Sequence, residues 1–203
     1  MKKVLTTLLC ATLIISALVV GVSAAGVTHT VVKGDSMWKI AVKYQVGLSE
    51  LKSANPHIKN PALIYPGQLI TIPSVDSTVS AYEAEVVRLV NVERRKNGLS
   101  ELTHDWQLSR VARYKSQDMK DKNYFSHTSP TYGSPFQMMK SFGISYKSAG
   151  ENIAKGYASP KAVVEGWINS PGHRANILNS SFTHIGVGYV AGGNYWTQMF
   201  ISK

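Results

Sequence analysis

A proline and a short polar stretch divide this 203-residue chain into two unequal parts. Pro73 ends an apolar run, and the residues that follow read SVDST, a composition typical of a linker. We assign the linker to residues 74–79, which is too short to hold two folded units far apart. We therefore expect a small unit over residues 28–73 beside a large domain over residues 80–203. The small unit has little surface to bury, so its few apolar side chains must pack densely.

The first 25 residues have the order of a secretory signal peptide. Lys2 and Lys3 precede an apolar run over residues 5–22, and the small residues SAA follow at positions 23–25. The alternative is a retained membrane anchor, because the run is close to the length that spans a bilayer. We favour cleavage, since no charged residue closes the run. The single cysteine, Cys10, lies in this segment, so the processed chain would form no disulfide, which suits a Gram-positive exterior.

The chain is strongly basic. It has 22 Lys and Arg against 12 Asp and Glu, so removal of the two leader lysines leaves a net charge of +8. For an exported protein, the obvious acidic partners are teichoic acids and the carboxylates of peptidoglycan. We expect no nucleic-acid partner, because the basic residues are spread along the chain and do not cluster with aromatic residues.

The small unit has the pattern strand, helix, helix, strand. A strand is predicted over residues 29–32, and Ser36 can cap a helix that continues to Tyr44. A second helix over residues 49–55 stops at Pro56, and a second strand follows over residues 69–72. The expected core consists of five apolar side chains: Trp38, Ile40, Leu51, Ile64 and Ile72.

Three motifs in this unit resemble the LysM domain from end to end. They read VVKGDSMWKIA from residue 31, LKSANP from residue 51 and LIYPGQLITIP from residue 63. The resemblance implies a βααβ fold that binds glycans containing N-acetylglucosamine, such as peptidoglycan. It places the sugar between the loops 34–37 and 60–68, with these contacts: Gly34, Asp35, Ser36, Met37, Ile64, Tyr65 and Pro66. Gly34 and Pro66 are also ordinary turn residues, and both roles are compatible because binding loops are usually turns on a rigid frame.

The large domain mixes helices and strands without strict alternation. Helices are predicted from Val79 to Gly98, after Asp105, after Ser134 and after Ser159. The fourth of these is expected to end at the SPG sequence of residues 170–172. Strands are predicted over residues 149–154, 185–190 and 195–201, the last two joined by a GGN turn. This order indicates an α+β domain with helices packed on an antiparallel sheet.

Several motifs in this domain resemble the bacterial branch of the CAP (SCP-like) superfamily. They read NVERR from residue 91, FSH from residue 125, GENIA from residue 150, WINSPGHRANIL from residue 167 and IGVGY from residue 185. The resemblance covers about residues 79–203 and implies an α-β-α sandwich. The whole chain is therefore expected to be α+β, a small βααβ module followed by this sandwich.

The CAP resemblance also implies a cleft with two histidines and two acidic residues, in which some members bind zinc. His127, Glu151 and His173 match three of these positions, whereas Ser170 stands where the second acid would be. The three residues could hold zinc with one open position, or Glu151 could orient a histidine by a hydrogen bond. Taken one at a time, each has an ordinary structural explanation as well. If the stretch after His173 is extended, alternate residues of it can face the cleft. Asn176 lies in this stretch, and we assign it a structural role.

Three functions remain open at this point. The first is a secreted wall protein that binds peptidoglycan through the LysM module, with a CAP domain that binds a small ligand or a partner. The second is a zinc-dependent, wall-associated hydrolase that uses the CAP cleft. The third is a role in spore or envelope assembly. The usual sequence signatures of a serine or cysteine hydrolase or a zinc protease are missing from the chain, so the binding protein is favoured.

Overall fold

The computed structural model of the protein describes residues 27–203. The predicted signal peptide, with Cys10, lies outside the described residues. Within residues 27–203, no helix combines the length and the apolar character that crossing a membrane requires.

The small unit has the predicted βααβ order. Its two strands, β1 (Thr28–Thr30) and β2 (Leu69–Thr71), pair antiparallel, with Thr28 opposite Thr71. Between them lie the helices α1 (Met37–Lys43) and α2 (Leu48–Ser53). The buried side chain of Asn55 connects α2 to β2, because its amide bonds the backbone of Leu51 and Thr71.

The core of the small unit differs from the prediction at one important position. Ile40, Leu51 and Ile72 are buried, and Ile64 packs against them from a half-buried position. Trp38, however, is 54% exposed and does not belong to this core. The residue before it, Met37, is buried in its place, because neighbouring residues of a helix point in directions about 100° apart. The prediction that Trp38 fills the core is therefore wrong.

The large domain is built on one four-stranded sheet with the order β3-β5-β6-β4. Its strands are β3 (Thr103–His104), β4 (Ser148–Lys155), β5 (His184–Val190) and β6 (Tyr195–Ser202). Its helices are α3 (Ser77–Lys96), α4 (Trp106–Asp121), α5 (Pro135–Ser141), α6 (Pro160–Ile168) and α7 (Pro171–Ile177). Strand β6 pairs antiparallel with both β4 and β5, and β4 forms one edge of the sheet.

Helices cover both faces of this sheet. Alternate residues of β6 point to opposite sides: Trp196 and Phe200 pack with α3, α6 and α7, whereas Met199 and Ile201 pack with α4 and α5. The α-β-α sandwich is therefore confirmed, with the sheet between two separate apolar cores.

Helix α4 lies unusually close to β5 because two glycines face it. A Cβ atom at Gly186 would lie 2.3 Å from the backbone nitrogen of Ser109, and one at Gly188 would lie 2.1 Å from that of Arg113. No side chain fits in these spaces. The alternating glycines of the IGVGY motif thus let the helix backbone rest directly on the strand.

Four predicted helix caps agree with the structure, and three local features differ from what the sequence indicated. The side chains of Ser36, Asp105, Ser134 and Ser159 cap α1, α4, α5 and α6. The stretch after His173 is helical in α7, not extended, because its proline occupies the first helical position, where a missing N–H costs nothing. Helix α3 already begins inside the stretch assigned to the linker, and the two-residue strand β3 was not predicted.

Arg110 of the large domain bonds the small unit. The Arg110 side chain of α4 donates hydrogen bonds to the Glu50 carboxylate at 2.5 and 2.9 Å and to the Ser49 hydroxyl at 2.8 Å. Its guanidinium also lies 5.1 Å from the ring centre of Phe142. The expectation that a short linker keeps the two units together agrees with this contact.

Candidate functional site

The two loops predicted to bind glycan lie side by side in the small unit. Val31, three residues before the first loop, bonds the second loop: its N–H donates to the carbonyl of Gln68 at 2.8 Å and its carbonyl accepts from Gly67 N–H at 2.9 Å. Gly34 has a φ of +94° and Gly67 a φ of +89°, conformations that favour glycine. Each loop therefore turns sharply at a glycine next to the end of the two-stranded sheet.

The side chains of the first loop mostly support the fold. The Asp35 carboxylate accepts hydrogen bonds from Val32 N–H at 2.9 Å and from the His29 ring at 2.8 Å. These bonds hold the pKa of Asp35 below its usual range. Ser36 caps α1, and Met37 is buried. The Gly34 carbonyl accepts a hydrogen bond from the Lys39 ammonium at 2.7 Å, so a sugar at this loop would meet mainly backbone N–H groups.

The second loop offers most of the exposed apolar surface. Tyr65 is 62% exposed and Leu63 is 55% exposed, and Pro66 is exposed as well. Ile64 points back toward the core. The loop is held from within, because Tyr65 N–H donates to the Gln68 side chain at 2.8 Å. A sugar ring would therefore meet Tyr65, Leu63 and Pro66 on a loop with a fixed shape, although Leu63 was not among the predicted contacts.

The cleft of the large domain lies along the edge strand β4 and has a volume of about 500 Å³. His127, from the connection between α4 and α5, and His173, from the first turn of α7, both line it. Ser170 lines it too, as the residue that precedes α7. The structure therefore brings together two of the three predicted side chains at the cleft surface, and the third lies directly beneath.

Glu151 is the buried member of this group. Its side chain is 1% exposed, and its Oε1 lies 2.8 Å from Nδ1 of His127, whose own side chain is 53% exposed. A carboxyl group at this distance from Nδ1 orients the imidazole ring. Burial raises the pKa of Glu151, although the His127 hydrogen bond and the charge of Lys115 oppose this change. The second oxygen, Oε2, is buried and has no hydrogen-bond partner in the described residues.

Lys115 supports the His127 segment from below and was not predicted from the sequence. Its side chain is fully buried, and its Nζ donates to the carbonyls of Ser126 at 2.7 Å and His127 at 2.9 Å, and to the Tyr124 hydroxyl at 3.2 Å. Burial lowers the pKa of Lys115, against the opposing charges of Glu151 and Asp118.

Asp118 fixes the rest of the same segment. Its carboxylate accepts hydrogen bonds from three hydroxyl groups, those of Tyr124, Ser129 and Thr131, each at 2.6 Å. A signal for Lys115 existed in the sequence. Lys115 falls four residues after Val111 and four before Met119, on the apolar face of α4 that points to the sheet.

His173 is held on the other face of the sheet, away from α4. Its carbonyl accepts from the buried Asn152 side chain at 3.1 Å, and Asn176 donates to the Glu151 carbonyl at 3.2 Å and to the Asn152 side chain at 2.8 Å. Burial and the nearby His127 lower the pKa of His173. Asn176 thus has the structural role expected, as it attaches α7 to the edge strand.

Zinc binding was one of two alternatives for the cleft residues, and their geometry matches the other, in which Glu151 orients a histidine. Among residues 27–203, no group of three or more His, Cys, Asp or Glu side chains is arranged to hold a metal ion. The Glu151 carboxylate is turned to His127, and a carboxylate that bonds an imidazole in this way acts as an orienting group. We therefore derive no chemical step through zinc.

Comparison with known proteins agrees with the two units seen in the fold. Residues 29–73 match the LysM domain. YkwD, an uncharacterized protein of Bacillus subtilis, is 68% identical over 133 residues, which cover 66% of this chain and 52% of that protein. The amidase sle1 of Staphylococcus epidermidis, an N-acetylmuramoyl-L-alanine amidase, is 33% identical over 90 residues, 44% of this chain and 27% of the amidase. The chain thus matches only about half the length of YkwD, and less of the amidase.

Solved structures resemble the large domain. An extracellular protein from Bacillus anthracis that contains an SCP domain has a TM-score of 0.60 and 38% identity, over 68% of this chain and 47% of that one. An outer surface protein from Borrelia burgdorferi has a TM-score of 0.54 over 65% of this chain and 96% of that one, and at 23% identity it supports the fold alone. The family model that covers most of the chain matches residues 87–201. The chain belongs to the cysteine-rich secretory protein (CAP) family, and it carries a LysM domain ahead of its CAP domain.

Proposed function

We propose that this is an exported wall-binding protein. In this proposal the LysM domain binds glycans of peptidoglycan that contain N-acetylglucosamine, and the CAP domain presents a ligand-binding cleft next to the wall. The observation that carries the proposal is the paired arrangement of the loops 34–37 and 60–68. Both loops lie at the same end of the two-stranded sheet, where Thr30 pairs with Leu69, and one of them exposes Tyr65 and Leu63 on a backbone held by its own hydrogen bonds.

The chemistry of these loops suits a neutral sugar. Tyr65 and Leu63 can cover the apolar face of a sugar ring, and the backbone around Gly34 can bond an acetamido group. Large exposed apolar side chains cost solubility unless a partner covers them, and binding to a glycan would provide that cover.

Two further observations support a location at the wall. The related protein of Bacillus anthracis is extracellular, and the sle1 amidase shares a segment with this chain. The excess of basic residues adds attraction to anionic polymers, for which teichoic acids are the candidates. This attraction is screened by salt, whereas contacts to a neutral sugar are not.

Sedimentation with purified peptidoglycan tests the proposal. We expect residues 27–203 to co-sediment at high salt, and we expect Tyr65→Ala and Leu63→Ala to reduce the bound fraction. Val42→Ala is a matched control, since Val42 is an exposed apolar residue of the same domain but lies outside both loops. Equal binding by all variants, or by a chain that lacks residues 29–73, would refute the proposal.

The CAP cleft is assigned to binding, and the alternative hydrolase makes a different prediction. A binding cleft predicts that peptidoglycan incubated with the protein releases no soluble fragments, with or without added zinc. The hydrolase would be favoured if soluble fragments are released and this release is lost when His127 or His173 is replaced. Replacement of the half-exposed His184, which lies outside the cleft, should then leave the release unchanged. A role in spore assembly stays a prediction, and the time of expression during growth tests it.

A further inference from the structure

A groove between the LysM and CAP domains has no role in the function described so far. It has a volume of about 540 Å³ and lies apart from both the glycan loops and the CAP cleft. Trp38 and Gly47 line it from the LysM side, and Trp106, Gln107 and Phe142 line it from the CAP side.

The walls of this groove are held at a fixed separation by Arg110. The arginine bonds Glu50 and Ser49 on the LysM side, while its guanidinium lies over the rings of Tyr114 and Phe142 on the CAP side. Gly47 leaves room for this ion pair, because a Cβ there would lie 2.0 Å from Oε2 of Glu50 and 2.2 Å from Nε of Arg110, so both side chains would have to shift. The floor of the groove is therefore formed jointly by the two domains.

Trp38 is the feature of the groove that the fold does not explain. It is 54% exposed on the first turn of α1, where the LysM core does not use it. Exposure of the apolar surface of an indole to water is unfavourable in free energy. The Trp38 indole lies in a groove that also contains a second indole, that of Trp106. Two flat apolar side chains with a few polar neighbours are the usual lining of a small-molecule site.

We propose that this groove is a second saccharide subsite, which binds the continuation of the glycan strand held by the LysM loops. The inference rests on the proposed function of those loops. Trp38 follows the loop 34–37 directly in the chain and lines the groove, so the groove begins at the residue next to the proposed glycan loop.

The electrostatics of the groove favour a neutral ligand. The Arg110 charge is already paired with Glu50, and the pKa of Glu50 is about 2, because the hydrogen bonds from Arg110 and Ser49 outweigh the effect of burial. The ion pair therefore persists at neutral pH and leaves no net charge for an anionic polymer. The Gln107 amide remains to bond sugar hydroxyl or acetamido groups.

Titration calorimetry with short and long N-acetylglucosamine oligomers tests this subsite. We expect the long oligomer to bind residues 27–203 more tightly than the short one. Trp106→Ala and Trp38→Ala should each weaken the long oligomer about tenfold, an ordinary effect for the loss of one aromatic contact, and should leave the short oligomer unchanged. Phe136→Ala is the matched control, an exposed aromatic residue of the CAP domain outside the groove.

Further variants separate this inference from the proposed function. Tyr65→Ala should weaken both oligomers, because it changes the LysM loops. Arg110→Gln should weaken only the long oligomer, because it removes no aromatic side chain but releases the two walls. If Tyr65→Ala weakens binding while both tryptophan variants bind the long oligomer like the wild type, the subsite is refuted and the LysM function stands. If the wild type binds neither oligomer, both proposals fail.

Discussion

Gly188→Ala is expected to destabilise the protein strongly, because the new methyl group would enter the backbone of α4. The Cβ would lie 2.1 Å from the Arg113 nitrogen and 2.2 Å from the Ala112 carbonyl carbon, whereas ordinary contacts begin at 3.4 Å. Helix α4 would have to move outward by about 1.3 Å, since these are backbone atoms that no rotamer change can displace. Overpacking usually costs about 1–3 kcal/mol, and this geometry belongs at the upper end of that range.

The expected loss of about 3 kcal/mol corresponds to a fall in melting temperature of roughly 6–12 °C for a chain of this size. Thermal unfolding followed by circular dichroism measures it. Gly172→Ala is the matched control, because a Cβ at Gly172 in α7 meets nothing within 4 Å, so its stability should be unchanged or slightly higher. If Gly188→Ala melts at the wild-type temperature, the close contact between α4 and β5 described above is incorrect.

Three further predictions concern charged and titratable groups. The pKa of Glu50 falls from 4.5 to about 2 on folding. The contribution of Glu50 to stability is therefore complete above pH 4.5 and is lost as the pH falls toward 2. Melting curves of Glu50→Gln at several pH values should lack this part of the acid dependence. Lys115→Met should destabilise the protein by about 1–3 kcal/mol and speed amide hydrogen exchange around His127, whereas Lys120→Met, an exposed change on the same helix, should do neither. The His173 ring should titrate below its usual range by NMR, and His127→Gln should move that pKa upward, because His127 contributes to lowering it.

Much of the fold could be predicted because its boundaries depend on local chemistry. Ser36, Asp105 and Ser134 cap helices through hydrogen bonds to the backbone three residues later, so each signal and its effect lie within one turn. The start of α7 was missed because Pro171 and Gly172 stop helices as readily as they begin them. In α7 the proline occupies the first helical position, and the packing of Ile177 in the core favours the helix.

The candidate sites were harder to predict, because they depend on contacts between distant segments. The pairing of His127 with Glu151 was suggested by family resemblance, whereas the role of Lys115 beneath them depends on how α4 lies against the sheet. A lysine in a helix is normally taken as exposed, although its position on the apolar face indicated burial. The prediction for Trp38 was wrong for the opposite reason, because an aromatic residue in a small unit is expected to be buried. The groove that Trp38 lines lies between the two domains, so the sequence of one domain does not reveal it.

The location of the cleft at an edge strand has a consequence for how ligands can be found. His127 is held by the layer of α4 and α5, and His173 by the layer of α6 and α7, with only β4 between them. A molecule that contacts both imidazoles would join the two outer layers of the domain, and it could do so only while both are folded onto the sheet. Its binding energy would then resist unfolding of the whole CAP domain. A rise in melting temperature would reveal such a molecule before any activity is known, and the rise should disappear when either histidine is replaced.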